Sequence, residues 1–249
     1  MKPKATGSYQ IATSSQTATR KVLKMPVISF ANPKGGAGKS TSALILATQL
    51  AESGGTVEVI DADPEQWIRQ WAALGPEPKG LSVTSCTSSE QIVEAIAEAA
   101  QRAQFVIVDL EGTASLLVAQ AVGMSDLVLI PLQASTMDAK GAAKTLKLIR
   151  NQSVMLRRPI RHSVVFTRTN AAILTRSMKN VRHQLSEAQV GVLETAIVER
   201  AAFRDLFDFG GGLSDLDPDL VSNLDKAKEN ARQFAGEVVR SLRKMEELA

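Results

Sequence analysis

Short apolar runs alternate with longer stretches in which apolar residues recur every three or four positions along most of this sequence. Runs such as Val27-Ile28-Ser29-Phe30-Ala31 are typical of strands buried in a parallel sheet, and the periodic stretches are typical of helices that cover a core. The predicted strands are residues 26–31, 57–60, 81–86, 105–109, 126–131, 162–167 and 195–198. The predicted helices are residues 39–52, 64–74, 89–103, 115–123, 136–152, 172–187, 201–209 and 218–247.

This alternation of strands and helices predicts the fold class. It favours a single-domain α/β fold in which a mostly parallel, twisted sheet carries helices on both faces. In such sheets ligands bind beyond the carboxyl ends of the strands. We therefore expect the functional side chains to follow directly after the apolar runs.

The last predicted helix has its own start signal. Asp217 is suited to the N-cap position and Pro218 to the first turn. The apolar positions that share one stripe on this helix are Leu220, Leu224, Ala227, Ala231, Phe234, Val238 and Leu242. A stripe of this kind is expected to pack on the core.

Composition is that of an ordinary soluble globular protein, with 44% hydrophobic and 22% charged residues among 249. No apolar run approaches the roughly 20 residues that span a bilayer, and the N-terminus lacks the apolar core of a signal peptide. Cys86, the single cysteine, is expected in or near the core and cannot form an internal disulfide. These features favour a cytoplasmic location.

Charge divides the chain into two parts. Residues 1–25 contain five lysines and arginines and no acid, so they carry a charge of +5. Since the whole chain has a net charge of +3, the remaining residues carry −2. We predict a disordered basic arm over residues 1–25 and the folded domain over residues 26–249. Two interpretations of the arm stay open: a tail that contacts nucleic acid electrostatically, or a solvated extension without function.

A glycine-rich loop follows the first predicted strand and precedes the first predicted helix. Its residues are Lys34, Gly35, Gly36, Ala37, Gly38, Lys39, Ser40 and Thr41. Glycines let backbone N–H groups turn towards phosphate oxygens, and the N-terminus of the following helix favours anions. In a phosphate-binding loop of this kind, Lys39 reaches the β- and γ-phosphates and the Ser40 hydroxyl contacts Mg²⁺.

Acidic residues end two further predicted strands. Asp61 and Asp63 follow residues 57–60, and Asp109 ends residues 105–109. Asp109 has the Walker B position and is expected to hold Mg²⁺ through water. Asp61 would either help at the Mg²⁺ shell or hold the loop, and Asp63 is also suited to cap a helix.

Together these motifs resemble the ParA/MinD superfamily of deviant Walker A ATPases, and within it the ParF-type branch of plasmid-partition ParA proteins. The resemblance covers roughly residues 26–247. The segments that carry it are Asn32-Pro33-Lys34, Lys34 to Thr41, Asp61-Ala62-Asp63-Pro64, Val108-Asp109, Asp126 to Pro131, and Val165-Phe166-Thr167-Arg168.

The resemblance implies further roles. Lys34 would reach across a dimer interface to the partner's phosphates, Asp63 would position the attacking water, and Arg168 and Asn170 would border the adenine. The cofactors implied are ATP and Mg²⁺, and hydrolysis would be slow and stimulated by a partner. The partners implied are a second copy of the chain on ATP binding, non-specific DNA and a ParB-like centromere-binding or other adaptor protein, with association to the nucleoid.

Basic residues on three predicted helices are candidates for DNA contact, although each group is also compatible with a solvated face. They are Arg176, Lys179, Arg182 and His183; Arg200 and Arg204; and Lys226, Lys228, Arg232, Arg240, Arg243 and Lys244. The two histidines are isolated in the sequence, so a zinc site is not expected.

The leading functional interpretation is therefore an ATP-dependent DNA-segregation ATPase. A second keeps the ATPase but changes the cargo to conjugation or DNA-transfer machinery or a protein cluster, because residues 199–204 resemble proteins that assist DNA transfer. A third is a MinD-like membrane regulator with an amphipathic C-terminal helix, which we disfavour because that stripe is suited to core packing. A metabolic ligase on the same fold has no evident catalytic set in residues 110–210.

Overall fold

A six-stranded, all-parallel sheet forms the centre of the molecule. The computed structural model describes residues 25–113, 115–133, 135–170 and 175–247, so the basic arm and the start of the predicted helix 172–187 lie outside the described residues. The strands are β1 (Val27–Phe30), β2 (Val57–Ala62), β3 (Leu81–Ser85), β4 (Phe105–Leu110), β5 (Leu127–Leu132) and β6 (Arg161–Phe166). Their order in the sheet is β3-β2-β4-β1-β5-β6.

Helices cover both faces of this sheet, which confirms the predicted α/β class. The helices are α1 (Lys39–Glu52), α2 (Trp67–Ala72), α3 (Ile92–Arg102), α4 (Leu116–Met124), α5 (Thr136–Met155), α6 (Arg176–Glu187), α7 (Ala201–Phe209) and α8 (Leu224–Glu247). Side chains of α1, α2, α7 and α8 form one hydrophobic cluster with the sheet, and side chains of α3, α4, α5 and α6 form the other. Successive residues of each strand supply opposite clusters, as the period of two in a strand requires.

Strand β1 lies between β4 and β5 in the interior of the sheet, so the loop that follows it emerges near the middle of the row of carboxyl-terminal strand ends. Asp61 at the end of β2 is the register partner of Asp109 near the end of β4. The carboxyl ends of parallel strands all lie at the same end of the sheet. The topology therefore brings the glycine-rich loop and both acidic segments together there.

The predicted strand 195–198 is wrong. This segment forms only one isolated bridge, between Val198 and Thr169 just after β6, although Ile197 N donates to Phe166 O and Ile197 O accepts from Thr169 N. Asn230 accepts a hydrogen bond from Val198 N and donates one to Ala196 O, and the Glu237 carboxylate accepts from Thr195 N. The segment is thus held both at the end of β6 and by α8, without forming a continuous strand ladder.

The predicted start of the last helix is also wrong, because α8 begins at Leu224. The Asp217 carboxylate accepts a hydrogen bond from Asp219 N, which forms a separate turn. Asn223 then has a φ of 56°, which breaks the helical path. As a result Leu220 is 82% exposed and does not belong to the buried stripe.

The rest of that stripe packs on the core, as predicted. Val238 and Leu242 are buried among residues of α1 and the sheet, which occupies the face that a membrane-binding helix would need. Among the described residues no helix is long and apolar enough to cross a membrane. The MinD-like alternative therefore gains no support from α8 up to Leu242.

Candidate nucleotide site

The glycine-rich loop adopts a conformation that its glycines make possible. Gly36 and Gly38 have φ angles of 74° and 95°, in the region that L-residues rarely adopt. Gly38 immediately precedes α1, whose first residue is Lys39. The loop therefore opens its backbone towards the cleft at the N-terminus of a buried helix.

Two side chains from neighbouring strand ends hold this loop in place. The Thr167 hydroxyl, just after β6, donates a buried 2.7 Å hydrogen bond to Ala37 O. Gln133, just after β5, donates a 2.6 Å hydrogen bond from its amide to Gly36 O. A Cβ on Gly38 would lie 3.3 Å from Thr167 Cβ, so glycine also permits this close approach.

Asn32 supports the start of the loop. Its buried side chain donates to Pro131 O at 2.6 Å and accepts from Lys34 N at 2.9 Å. Gly141 of α5 packs directly against it, because a Cβ at that position would lie 2.9 Å from Asn32 Oδ1 and 3.7 Å from Lys34 Cβ. The backbone position of Lys34 is therefore set by β5 and α5 together.

A cleft of about 560 Å³ opens over the loop, a size typical of small-ligand sites. It is lined by Gly35, Gly36, Gly38, Lys39, Ser40, Thr41, Asp63, Glu65, Trp67, Gly112, Arg168, Arg204 and Phe207. Six of the eight loop residues predicted to bind phosphate thus face one cavity with Asp63, the predicted water-positioning acid, while Lys34 and Ala37 do not line it.

Asp109 lies buried at the base of this site. Neither carboxylate oxygen has a hydrogen-bond partner of normal geometry in the described part of the chain. Burial raises the pKa of Asp109 to about 7, and the Ser40 hydroxyl and the Lys39 ammonium oppose this shift while Asp61 adds to it. A buried carboxylate with unused oxygens beside a serine hydroxyl fits the oxygen-ligand preference of Mg²⁺. The residues present therefore fit the metal predicted from the sequence.

Asp61 is also fully buried, but its oxygens already have partners. Its carboxylate accepts hydrogen bonds from Arg69 N at 2.8 Å and from Asp63 N at 3.3 Å. Burial raises the pKa of Asp61, and these backbone bonds oppose the shift. Of the two roles predicted for Asp61, the contacts favour holding the loop, because its oxygens cap the first turn of α2.

The helix after this acidic segment begins at Trp67 and not at residue 64 as predicted. Gln66 has a φ of 49°, which delays the helix, and Asp61 caps it in place of Asp63. The Asp63 carboxylate instead accepts from Glu65 N in a short turn. This leaves Asp63 partly exposed on the cleft wall.

Gly112, after β4, approaches the loop from the other side. A Cβ at Gly112 would lie 3.4 Å from Pro33 O and 3.7 Å from Lys39 Nζ. The Lys39 side chain is only 7% exposed, so it is held between the loop and the segment after β4. The segment after β4 therefore lies directly against the phosphate loop.

A smaller cavity of about 50 Å³ adjoins the main cleft. It is lined by Gly38, Thr41, Ser42, Thr167, Arg168, Ile197, Val198, Glu199, Arg200, Phe203 and Arg204. Arg168 has a φ of 50° and its guanidinium lies 3.8 Å from the Glu199 carboxylate. A non-glycine residue in this conformation is uncommon and occurs at binding sites more often than elsewhere.

Sequence reasoning missed several residues of these cavities. Glu199 contacts both Arg168 and Arg204, at 3.8 Å and 2.6 Å, so it draws the two cations to the cleft edge. Arg200 and Arg204 were expected among DNA contacts, but they line the cavities. Glu199, Arg200 and Arg204 follow the segment 195–198, which the end of β6 and the side chains of α8 hold beside the site. Asn170 is exposed and does not line these two cavities, so its role stays a prediction.

The fold and the loop together define a P-loop NTPase of the deviant Walker A type. Comparison with known proteins identifies the family within this class. The family model for VirC1 protein matches residues 25–232. Protein ParA of Rhizobium radiobacter is 38% identical over 218 residues, which cover 88% of this chain and 98% of that protein. The chain therefore belongs to the VirC1 family and to the ParA/MinD superfamily, as the sequence predicted.

Solved structures agree in fold. A McdA variant of Cyanothece in complex with ATP superposes with a TM-score of 0.69 at 15% identity, covering 86% of this chain and 96% of that one. The cell division ATPase MinD of Pyrococcus furiosus has a TM-score of 0.65 at 15% identity, covering 87% and 99%. At these identities the likeness establishes the shared fold.

Proposed function

We propose that this protein is an Mg²⁺-dependent ATPase of the ParA type that segregates DNA. The single observation that carries the proposal is the convergence of Lys39, Ser40 and Asp63 on one cleft above the buried Asp109. Phosphoryl transfer depends on a phosphate cradle, a metal and an oriented water. The cleft provides a candidate residue for each of these requirements.

The phosphates would lie over the loop, where backbone N–H groups and the N-terminus of α1 favour negative charge. Lys39 is suited to the β- and γ-phosphates because it is confined between the loop and Gly112. Ser40 and Asp109 would hold Mg²⁺, which would neutralise charge on the phosphate oxygens. Asp63, on the cleft wall, would orient the attacking water.

The base would occupy the side of the smaller cavity, beyond Thr41. The Arg168 guanidinium, which lines that cavity, offers a planar surface for stacking on the base. Glu199 would fix the orientation of Arg168 and Arg204 through its two ion pairs. Both pairs are exposed, so this role concerns orientation more than stability.

Lys34 lies at the entrance of the loop, with its backbone fixed by Asn32. In the sandwich dimer that we propose, this lysine would contact the phosphates bound by the second copy. A cation supplied by a partner stabilises the charge that develops in phosphoryl transfer. ATP would thereby link the two copies, and hydrolysis stimulated by an adaptor protein would release them.

Another cargo remains the second candidate function. The name ParA of the 38% identical relative supports partition as the leading one. The likeness of residues 199–204 to proteins that assist DNA transfer supports a DNA-transfer cargo. The proposed nucleotide cycle is the same for both cargoes, because the adaptor chooses the cargo.

The test combines ATP binding with measurement of mass. The wild-type protein is titrated with a fluorescent ATP analogue and sedimented with ATP, with ADP and without nucleotide. We expect ATP-dependent dimers from the wild type and from Lys79→Ala, which removes an exposed lysine far from the loop. Lys39→Ala should lose both ATP binding and the dimer, and a Lys39→Ala protein that still dimerises with ATP would refute the loop assignment.

A further inference from the structure

A long segment of the chain carries positive charge without any acid. Between Asp138 and Glu187 there is no Asp or Glu, but there are 11 lysines and arginines. The segment thus contributes +11 to a chain with a net charge of +3, which leaves −8 for all other residues. It includes α5 from its fourth residue, β6 and almost all of α6.

The charge is concentrated on the outer surface of α5. Lys140, Lys144, Lys147 and Arg150 are all exposed, while Ala142, Thr145 and Ile149 on the opposite side are buried. Spacings of three and four residues place the four cations on one side of the helix. They span about 15 Å along its axis, from a rise of 1.5 Å per residue.

These four cations have no ion-pair partner anywhere in the part of the chain that the structure describes. Some other surface cations are compensated within the molecule, such as Arg102 by Glu58 and Arg232 by Glu229. The stripe on α5 therefore keeps its full charge for an external anion.

Helix α6 extends the charged surface. It packs beside α5 through the same hydrophobic cluster, where its Met178 and Val181 are buried. Its Arg176 and Lys179 are exposed. We call the surface formed by Lys140, Lys144, Lys147, Arg150, Arg176 and Lys179 the α5–α6 basic face.

The chemistry of this face fits a nucleic-acid backbone. Duplex DNA presents a phosphate about every 3.4 Å along each strand, so a row of cations about 15 Å long meets several phosphates. The described parts of α5 and α6 contain no Phe, Tyr or Trp that could stack on a base. Contacts of this kind position a protein on DNA without reading sequence.

A lipid surface fits the face less well. Helices that lie on membranes insert a continuous apolar side between the lipid headgroups. The apolar side of α5 is already packed in the core, and the large apolar side chains exposed on its described part are Val154 and Met155 at its last turn. The cations precede this tip instead of flanking an apolar stripe.

The face is also connected to the nucleotide cleft. Gly141, beside Lys140, packs against Asn32, whose carboxamide oxygen accepts the Lys34 N–H. One turn further on, Lys144 lines a small cavity with Asn32, Pro33 and Thr113. A shift of the loop or of the segment after β4 would therefore be transmitted to the helix that carries the cations.

We propose that the α5–α6 basic face is the surface through which this protein contacts the phosphate backbone of duplex DNA, and that α5 links this contact to the state of the phosphate loop. The inference rests on the proposed function, since it locates the DNA contact that the function requires. It assigns this contact to the side of the sheet opposite α8, whose cations were also candidates from the sequence.

The experiment compares two triple variants of the full-length chain. Lys144→Ala/Lys147→Ala/Arg150→Ala removes three charges from α5, and Lys226→Ala/Arg240→Ala/Arg243→Ala removes three exposed charges from α8. Binding to a labelled random-sequence duplex is followed by fluorescence anisotropy across a salt series, with ATP, with ADP and without nucleotide. ATP binding and thermal unfolding of each protein are measured in parallel.

We expect the α5 variant to bind DNA at least about tenfold more weakly, with a salt dependence reduced by about 0.9 per lost phosphate contact, while the α8 variant resembles the wild type. Equal losses in both variants, or a loss confined to the α8 variant, would overturn the assignment. If these variants still bind ATP, the proposed nucleotide-binding function is retained even when the assignment of the DNA contact is overturned.

Three further outcomes also count against the inference. If the wild type binds ATP but no DNA in any nucleotide state, the DNA contact is absent and only the ATPase part of the proposed function survives. If it binds vesicles with anionic lipid instead, and the α5 variant loses that binding, the face belongs to a membrane. Wild-type binding unaffected by nucleotide would overturn the proposed link between α5 and the loop.

Discussion

The Thr167 hydroxyl donates a 2.7 Å hydrogen bond to the carbonyl oxygen of Ala37, from a position 130 residues further along the chain. This buried bond joins the end of β6 to the middle of the phosphate loop. It also fixes the turn at which Gly38, with its positive φ, enters α1. The geometry of the loop is thus determined in part by a strand remote from it in sequence.

Replacing Thr167 by valine tests this bond. Thr167→Val keeps the shape of the side chain but leaves Ala37 O without its donor, which costs about 1–3 kcal/mol in the free energy of unfolding. ATP affinity should fall as well, because the loop loses an anchor. Urea denaturation and ATP titration measure both effects. Thr167→Ser, which retains the hydroxyl, should keep the ATP affinity of the wild type; an equal loss of affinity in both variants would contradict the prediction.

Gly141 on α5 offers a test of the contact behind Lys34. Alanine normally stabilises a helix relative to glycine by about 1 kcal/mol, but a Cβ here would lie 2.9 Å from Asn32 Oδ1. Gly141→Ala should therefore displace Asn32 and lower the affinity for ATP. Isothermal titration provides the measurement.

The matched control is Gly236→Ala on α8, where the added Cβ meets only the flexible end of Arg240 at 3.2 Å. This variant should be slightly more stable than the wild type and should bind ATP normally. If Gly141→Ala behaved in the same way, the contact between α5 and Asn32 would have no influence on the loop.

Asp63 is predicted to act in hydrolysis and not in binding. Asp63→Ala should retain ATP binding and accumulate the ATP-bound dimer, while turnover falls by about 100-fold, the usual effect of losing a group that assists proton transfer. Single-turnover hydrolysis and sedimentation with ATP measure the two effects. Asp208→Ala, which removes an exposed acid from α7, serves as the control. Normal turnover in Asp63→Ala would remove this residue from its proposed role.

The raised pKa of Asp109 predicts a specific pH dependence in metal-free protein. The folded pKa is about 7, above the value near 3.8 of the unfolded chain, so burial of this carboxyl costs stability increasingly as pH rises between these values. Asp109→Asn removes this titration. In chelator, its stability relative to the wild type should rise by on the order of 4 kcal/mol between pH 4 and pH 8.

Denaturant unfolding at a series of pH values checks this expectation. The quantity to follow is how the difference in unfolding free energy between Asp109→Asn and the wild type changes with pH. A difference that stays constant across the range would show that Asp109 titrates normally. Addition of Mg²⁺ and ATP at pH 8 should stabilise the wild type more than Asp109→Asn, because the ionised carboxylate would then have a cation beside it.

Local sequence was sufficient for most of the framework. Apolar runs predicted all six strands, because strands buried on both faces are apolar throughout. The glycines and lysines of the phosphate loop are contiguous, so they could be recognised without knowledge of the fold. The acids at the ends of β2 and β4 were found because each stands at the end of an apolar run.

Long-range contacts decided the remainder. The segment 195–198 has the composition of a strand, but it keeps only one isolated bridge beside the end of β6, and Asn230 and Glu237 of α8 bind several of its backbone groups. The helix after Asp63 starts late because Asp61, not Asp63, caps it. Neither outcome follows from local propensity, since each depends on which side chain the fold brings within hydrogen-bonding distance of the backbone.

The sequence by itself determined the α/β class, the superfamily and the residues of the phosphate loop, because hydrophobic periodicity and a contiguous motif are local properties of a chain. Only the tertiary structure decided that Glu199 and Arg204 border the cleft and that Thr167 anchors Ala37. It also decided which cations of α5 are exposed and unpaired. Those relationships join residues that are distant in sequence, and packing around the sheet alone brings them together.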